Sequence, residues 1–285
     1  MERYTLTKRI SILGIVANIL LLITKLTIGF ISHSQAMIAD GFNSAGDVFS
    51  SAMTYVGNKI ASQPEDHNHP YGHGKAEYIF SMIISLSFLL VAYTIFQSSL
   101  NAVLNRETFV FSWWLVGIAL STIILKLGLF LYTRKIGKAT DSLLILANSE
   151  DHRNDVFVSA ATLLSIILGA QGIYWLDGIA GIGISAWIAY TGIQIFMSAF
   201  HVLMDTNINE KLKEDVVRTI LTVDGVDHVD SVVAKPVGFQ FIIIAKISVP
   251  GDLTIYQGHS IAARVKEKLK ANKYISDVVV HVNPA

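Results

Sequence analysis

Six long, mainly apolar runs occupy the first 205 residues of this 285-residue chain. They cover residues 10–31, 35–62, 77–103, 109–132, 140–170 and 175–204. A helix needs about 20 apolar residues to cross a hydrocarbon core of roughly 30 Å, and each run reaches that length. The charged fraction is 15%, against about 25% for an ordinary soluble protein, and this difference favours the same interpretation. We therefore predict an all-α membrane domain, a bundle of six transmembrane helices covering residues 1–205.

The Lys and Arg residues of the connecting segments predict how these helices are oriented, because short cytoplasmic loops are enriched in both. Basic residues before the first run, in alternate loops and after the sixth run lie on one side: Arg3, Lys8, Arg9, Lys59, Lys75, Arg134, Lys135, Lys138, Lys211, Lys213 and Arg218. Only Arg106 lies on the other side. The first run exceeds the apolar core of a signal peptide, so we expect it to remain as a span. We expect a multi-pass integral protein of the plasma membrane with cytoplasmic N- and C-termini.

After residue 205 the sequence becomes rich in Lys, Asp and Glu and contains no run of spanning length. Apolar residues at helical spacing predict helices over 208–221 and 257–271. β-branched and aromatic residues predict strands over 229–234, 239–249 and 275–282. The order α-β-β-α-β predicts a small C-terminal cytoplasmic α+β domain, residues 206–285, whose two helices cover one face of a three-stranded sheet.

Cysteine is absent from the sequence, and the formal net charge is zero. The absence of thiols excludes disulfides and iron–sulfur clusters and leaves nitrogen and oxygen as the ligands for a metal ion. The neutral charge gives no electrostatic basis for binding nucleic acid. The sequence also lacks a His-Glu-x-x-His helix and a recognisable nucleophile beside a base. We therefore expect no enzymatic activity, no prosthetic group and no nucleic-acid partner.

Two pairs of polar side chains lie inside the second and fifth runs. Asn43 and Asp47 are four residues apart, as are Asp151 and Asp155, so each pair projects from one face of its helix. At about 1.5 Å per residue, the two pairs overlap in depth near the middle of the membrane. Three carboxylates at that depth need a divalent cation or protons to balance their charge. The pattern therefore favours an exchanger, in which a cation and protons occupy one site alternately.

The three carboxylates and one carboxamide offer only oxygen ligands, which favours hard cations. Mg²⁺ tends to keep its water ligands, so we expect Mn²⁺ as the substrate, with Zn²⁺, Fe²⁺ and Co²⁺ as alternatives. His152 precedes Asp155 by three residues and can reach the same helix face, which leaves a zinc-like site open. A further alternative is that the carboxylates pair with Lys25, Lys126, His152 or Arg153 and only hold the bundle together.

A histidine-rich segment connects the second and third runs. Residues 65–77 contain three histidines and three carboxylates, interspersed with glycines and a proline. His and carboxylate side chains are common metal ligands, and glycine allows tight turns of the backbone. A metal-binding loop is therefore one interpretation, and a solvated histidine loop without metal is the other.

Several of these segments together resemble the cation diffusion facilitator family of metal/proton antiporters. The resemblance rests on the HPYGHGKAE segment at 69–77, the DGFNxxxD pattern at 40–47, the DxxxD pair at 151–155, the WLDG start of the sixth run at 175–178 and the C-terminal domain. It covers essentially the whole chain. It implies a homodimer in a lipid bilayer, each protomer of which exports a divalent metal ion from the cytoplasm in exchange for protons.

The resemblance also implies roles for individual residues. Between the second and fifth helices, the transport ligands are expected to be Asn43, Asp47, Asp151 and Asp155. In the loop, a second metal ion is expected to bind Asp66, His69 and His73. Interlocking salt bridges at the dimer interface are expected to involve Lys75 and Asp205. Asp151 stands where zinc-transporting members usually have a His, and in this the chain is similar to the manganese-exporting branch.

The C-terminal domain of the family has a metallochaperone-like fold that dimerises and often binds metal. Here His259 and His281 fall at ligand positions, whereas Ala245 and Asn283 replace usual ligands. We therefore expect either a weak metal site formed by Asp230, His259 and His281 or dimerisation by packing alone. A different class of function is also open, namely a membrane-anchored metal sensor that does not transport.

Overall fold

The computed structural model describes residues 2–31, 35–105, 113–169 and 175–285. Within these ranges, the first part of the chain forms six helices of 27 to 30 residues: α1 (Glu2–Ile31), α2 (Gln35–Ala61), α3 (Ala76–Asn105), α4 (Trp113–Thr140), α5 (Leu143–Gly169) and α6 (Trp175–Leu203). At about 1.5 Å per residue, each is roughly 40 Å long, which exceeds the thickness of a hydrocarbon core. The predicted helical membrane domain is therefore confirmed.

Four of these helices are long and apolar enough to span a membrane, judged by length and composition within the described ranges. Their apolar segments are Tyr4–Thr27, Ala76–Asn101, Val116–Thr140 and Gly181–Leu203. The other two, α2 and α5, match them in length but contain ionisable residues, among them Asp47, Asp151 and Asp155. Such residues are costly in lipid and usually face the interior of a bundle. The two polar helices are thus the ones that carry the predicted metal ligands.

The chain divides into two compact units. The first unit comprises Met1–Ser62 and Ala76–Phe200, and the second comprises Gln63–Lys75 and His201–Ala285. The histidine-rich loop therefore packs with the C-terminal residues. This division falls after Phe200 and adds Gln63–Lys75 to the second unit. The domain boundary after residue 205 stays a prediction.

Contacts from α3 fix the positions of α2 and α5 in the first unit. Glu77 of α3 is 4% exposed and accepts hydrogen bonds from Ser142 Oγ (2.6 Å) and Leu144 N (3.4 Å). Its carboxylate lies at the N-terminus of α5, where the helix dipole favours negative charge. On the other side, α2 approaches α3 so closely at Gly57 that a Cβ there would lie 2.7 Å from Phe80 Cβ. A small residue is therefore required where α2 and α3 meet.

The second unit contains a three-stranded sheet and two helices: α7 (Glu210–Leu221), β1 (His228–Pro236), β2 (Phe241–Val249), α8 (Ile255–Lys270) and β3 (Ile275–Pro284). The central strand is β2, which runs antiparallel to β1 and parallel to β3. Asn209 caps α7, and Thr254 forms a capping box with Gln257 at the start of α8. The predicted α-β-β-α-β order and the α+β class are confirmed.

The apolar core of the second unit lies between the two helices and one face of the sheet. Val216 of α7 and Val265 of α8 are buried together with Ile243 of β2. Because successive residues of a strand point to opposite faces, Ile243 is 0% exposed, whereas the next residue, Ile244, is 39% exposed. The sheet therefore has one covered face and one open face, as the sequence predicted.

We expect the covered face of β2 to control the stability of the second unit. Ile243→Ala should lower the free energy of unfolding by about 2–5 kcal/mol, because it removes a buried side chain and leaves a cavity. Ile244→Ala, on the open face, should cost less than about 1 kcal/mol. Pulse proteolysis of the full-length protein in detergent, over a urea series, measures both values. Equal losses for the two variants would contradict this assignment of the sheet faces.

Candidate metal centre

Carboxylates from α2 and α5 meet at one lysine of α4. Lys126 Nζ lies 2.8 Å from Asp47 Oδ2 and 2.5 Å from Asp155 Oδ2. The side chain of Lys126 is 1% exposed, and those of Asp47 and Asp155 are 11% and 17% exposed. Since one ammonium contacts both carboxylates, their oxygens lie within reach of a single cation. The sequence left the pairing of Lys126 open, and the structure joins three helices through it.

Asp151 and His152 extend this cluster along α5. One ligand atom from each of Asp151, His152 and Asp155 lies within 4.8 Å of the other two. Neither ring nitrogen of His152 has a hydrogen-bond partner among the described residues, and the same holds for Asp151 Oδ2. Buried polar atoms are normally paired, so unpaired ones mark positions that an ion or a water molecule can occupy.

Neutral hydrogen bonds hold the backbone of α2 beside the cluster. The buried Asn18 of α1 donates from Nδ2 to Asp47 O and to Ser51 Oγ, both at 3.0 Å. Asn148 of α5 donates to the same hydroxyl at 3.5 Å. In the described part of the chain, the Oδ1 atoms of both asparagines have no hydrogen-bond partner. No sequence pattern singled out these two residues for a role at the site, although an amide inside an apolar run is itself a signal of contact between helices.

Arg153, which the sequence offered as a partner of the carboxylates, belongs to a different network. It forms an ion pair with Glu150, one turn earlier on α5. Its Nη2 donates to Thr191 Oγ1 of α6 at 3.1 Å, and its guanidinium lies 5.3 Å from the centroid of the Trp187 ring. The Glu150–Arg153 pair therefore connects α5 with α6, and Asp155 pairs with Lys126 instead of Arg153.

The described part of the cluster offers mainly oxygen ligands. Asp47, Asp151 and Asp155 contribute three carboxylates, and His152 adds ring nitrogens. The side chain of Asn43 lies outside the described residues. Carboxylate ligands fit a hard divalent cation, whereas participation of His152 would make the site softer. Both alternatives from the sequence thus have a geometric basis.

A second cluster lies in the loop of residues 63–75. One ligand atom from each of Asp66, His69 and His73 lies within 4.8 Å of the other two. Asp66 Oδ1 accepts hydrogen bonds from the backbone N–H groups of His69 (2.6 Å) and Asn68 (2.9 Å). The bond from His69 N–H, helped by that from Asn68, holds the pKa of Asp66 below its ordinary value. The carboxylate is therefore fixed in place and ionised at neutral pH.

His73 is oriented in a way that suits metal binding. Its Nδ1 lies 3.0 Å from Pro64 O, so we assign the proton to this nitrogen, which donates to the carbonyl. The other nitrogen, Nε2, is then an acceptor 3.5 Å from Asp66 Oδ2. Histidine ligands usually donate their second nitrogen in this manner. The loop thus brings together the three residues expected to bind a second metal ion, and their role as ligands stays a prediction.

Lys75 and Asp205 form an ion pair within one chain. Lys75 Nζ lies 2.5 Å from Asp205 Oδ1, and Lys235 Nζ lies 3.9 Å from the other carboxylate oxygen. The hydrogen bond from Lys75 lowers the pKa of Asp205. The interlocking role expected for this pair at a dimer interface stays a prediction.

The residues expected to bind metal in the second unit do not form a three-ligand group within one chain, although all residues of 201–285 are described. Asp230 of β1 accepts a hydrogen bond from Asn283 Nδ2 (3.0 Å) and lies 3.1 Å from His228 Nε2. His259 and His281 are both exposed. A site at Asp230, His259 and His281 therefore stays a prediction for an interface between two copies.

Comparison with known proteins matches most of the chain to two known domain families. Residues 11–204 match the cation efflux transmembrane domain, and residues 208–285 match the cytoplasmic domain of cation efflux proteins.

Three relatives are similar over nearly their whole length. Two are manganese efflux system proteins of Bacillus subtilis. MneP is 29% identical, and the match covers 99% of this chain and 98% of MneP. MneS is 30% identical, and the match covers 100% of this chain and 99% of MneS. The third, an uncharacterised transporter of Methanocaldococcus jannaschii, is 32% identical over 95% of this chain and 96% of its own. A solved structure, the copper form of a MamM C-terminal domain, matches 27% of this chain and 96% of its own with a TM-score of 0.26 and 23% identity.

We expect Asp66 to be essential for metal binding by the loop. Asp66→Ala should weaken Zn²⁺ binding at least about tenfold, because it removes both a ligand and the acceptor that orders the loop. Glu65→Ala, which removes the adjacent exposed carboxylate, should leave the affinity unchanged. Equilibrium dialysis of the full-length protein, with Asp155→Asn in all samples to silence the first cluster, measures these affinities. Equal losses in both variants would indicate a solvated acidic loop without a defined metal site.

Proposed function

Because the chain belongs to the cation efflux family of divalent-metal transporters, also called the cation diffusion facilitator family, we propose that it exports Mn²⁺ from the cytoplasm in exchange for protons. The observation that carries this proposal is the carboxylate cluster between α2 and α5. Asp47 and Asp155 share one cation, and Asp151 lies beside Asp155. Buried carboxylates in a membrane bundle mark ion pathways.

The choice of Mn²⁺ among divalent ions rests on the ligands and is supported by two relatives. Carboxylate oxygens suit Mn²⁺, whereas Zn²⁺ and Fe²⁺ are also well suited by imidazole nitrogen. Mg²⁺ gives up its water ligands reluctantly and is a poorer fit to a site built from several protein groups. Two relatives of nearly full coverage are named manganese efflux system proteins, which agrees with the ligand argument. We propose Asp47, Asp151 and Asp155 as the ligands, with Asn43 as a neutral fourth.

Proton exchange is proposed from the charge of the site. When a divalent ion leaves, the carboxylates lose two compensating charges. Protons can replace them, because burial and neighbouring negative charge favour the protonated form of a carboxylate. Unbalanced charge inside a bilayer is costly. The site therefore turns from one side of the membrane to the other only when either the metal ion or protons occupy it. Two opposite fluxes are thereby coupled through one set of carboxylates.

We further propose that the protein is a homodimer of the plasma membrane with both termini in the cytoplasm. The match of residues 208–285 to a cytoplasmic domain supports this orientation of the second unit. The uneven distribution of Lys and Arg among the loops supports the same orientation of the helices.

Transport should depend on the charge of Asp155. Asp155→Asn should abolish Mn²⁺ flux driven by a pH gradient while the protein still folds, because the amide keeps the shape of the carboxylate but not its charge. Glu150→Gln is the matched control, since it neutralises another carboxylate of α5 that pairs with Arg153 outside the cluster, and it should retain flux. Uptake into proteoliposomes, reported by an enclosed Mn²⁺ indicator, measures both variants.

Three outcomes of this experiment would contradict different parts of the proposal. A wild-type protein that binds Mn²⁺ but moves neither Mn²⁺ nor Zn²⁺ would favour the membrane-anchored sensor. Equal loss of flux in Asp155→Asn and Glu150→Gln would contradict the assignment of the site. Flux that does not depend on the imposed pH gradient would contradict only the proton-exchange part of the proposal.

His152 should affect the choice between ions more than transport itself. His152→Asn should keep Mn²⁺ flux within about threefold of the wild type and lower Zn²⁺ flux more strongly, because imidazole nitrogen favours Zn²⁺ over Mn²⁺. Competition between the two ions in the same proteoliposomes measures the ratio. If both fluxes fell equally, His152 would be required for every substrate, and the all-oxygen site would be wrong.

A further inference from the structure

Lys126 lies at the position that a transported cation must occupy. It is near the middle of α4, and its side chain is 1% exposed. Its Nζ contacts one oxygen of Asp47 and one of Asp155, which belong to different helices. Zn²⁺ and Mg²⁺ bind carboxylate oxygens at about 2.0–2.2 Å. An ammonium and a metal ion therefore cannot both lie between the same two oxygens.

We propose that Lys126 is a tethered competitor of the metal, whose ammonium occupies the transport site in the metal-free protein and is displaced when the metal ion binds. This inference rests on the proposed function and adds to it the residue that pairs with Asp47 and Asp155 when the metal is absent, while protons supply the remaining charge.

Burial explains why the metal-free site needs such a cation. Asp47 and Asp155 are largely removed from water, and buried carboxylates without a partner are strongly unfavourable. An ammonium on a flexible four-carbon stem can pair with them and can also swing away, because it remains attached to α4. When no metal is bound, the protein can then change its conformation while Asp47 and Asp155 both remain paired with Lys126.

The formal charges of the cluster match a divalent substrate. Three ionised carboxylates and one ammonium together carry a formal charge of −2. One divalent cation neutralises this charge, whereas one monovalent cation leaves the site negative. The lysine therefore sets how much positive charge the site accepts, as well as competing for its oxygens.

The displaced ammonium has an acceptor available on its own helix. Thr122 is four residues before Lys126, so the two side chains share a face of α4. Thr122 is 2% exposed, and within the described residues its Oγ1 has no hydrogen-bond partner. An unpaired buried hydroxyl at this position provides a polar resting place for Nζ when metal occupies the carboxylates.

The test is the Mn²⁺ affinity of the purified, metal-stripped full-length protein, measured by isothermal titration calorimetry. Lys126→Met, which removes the charge and keeps the length of the side chain, should tighten Mn²⁺ binding about tenfold or more, because the competing cation is gone. Lys126→Arg should weaken it about tenfold, because a guanidinium holds two carboxylates through a fixed fork and is harder to displace.

The matched control is Lys25→Met. Lys25 is also a buried lysine of the bundle, 5% exposed, and it donates a hydrogen bond to Ser44 Oγ at 3.1 Å. Removing its charge should change the affinity by less than about threefold, because its electrostatic effect on Asp47 is smaller than that of Lys126. A change as large as that of Lys126→Met would show a general effect of charge and would overturn direct competition.

The remaining outcomes are also decisive. A folded Lys126→Met protein whose Mn²⁺ affinity is unchanged or weaker overturns the proposal, since a merely structural ion pair behaves in that way. If Lys126→Met does not give a monodisperse protein, Lys126→Arg decides, and an affinity equal to or tighter than that of the wild type overturns the proposal.

Failure of the proposed function is distinguishable from failure of this inference. Asp155→Asn, alone and combined with Lys126→Met, reports whether the bound Mn²⁺ depends on the cluster at all. If the wild type and Asp155→Asn bind Mn²⁺ equally, the assignment of the transport site is wrong, and the proposed role of Lys126 is overturned as well. If binding depends on Asp155 but ignores substitution of Lys126, only the inference is overturned.

Discussion

The ion pairs of Lys126 with Asp47 and Asp155 are the interaction on which the membrane unit depends. They join α4 to α2 and α5 through side chains that are largely buried. Removing one partner of a buried pair typically costs about 3–5 kcal/mol, whereas replacing a whole buried ionic group by apolar side chains is often neutral or stabilising. Stability alone therefore gives no reason to keep the cluster. The proposed transport of a divalent ion gives a reason for these charges that stability does not.

The bundle positions these charges through neutral contacts whose energies are individually modest. Asn18 donates to the backbone carbonyl of Asp47 and thereby fixes this proposed ligand through its main chain. Glu77 anchors the first turn of α5, from which Asp151 and Asp155 follow after about two and three turns. Each of these bonds satisfies donors that would otherwise be unpaired in lipid. The site is therefore supported by contacts that leave its own carboxylates available to a cation.

The sequence predicted the helices and strands well, because apolar periodicity is a local property, and it placed the acidic residues of α2 and α5 on common helix faces for the same reason. It left the partner of Lys126 open, since the rotation of α4 against α2 and α5 depends on packing that no spacing within one helix reveals. Packing of the histidine loop with the C-terminal residues was beyond local patterns as well, because it joins segments more than 100 residues apart. The resemblance to a family singled out Lys75 and Asp205, and the structure pairs them within one chain. The hydrogen bond between Asp230 and Asn283 spans the sheet and was equally beyond local patterns.

A transport site must bind its ion and also let it go, and the arrangement of charges bears on both requirements. Three carboxylates without a competing cation would hold a divalent ion strongly and release it slowly, since electrostatic attraction grows steeply in a medium of low dielectric constant. A tethered ammonium lowers the affinity without removing any ligand, because it refills the site as the metal departs. The loop cluster has no such cation among its three residues, and His69 is 57% exposed to solvent. Under the proposed function, ready exchange is required only of the site inside the bundle, so the predicted loop site needs no tethered cation.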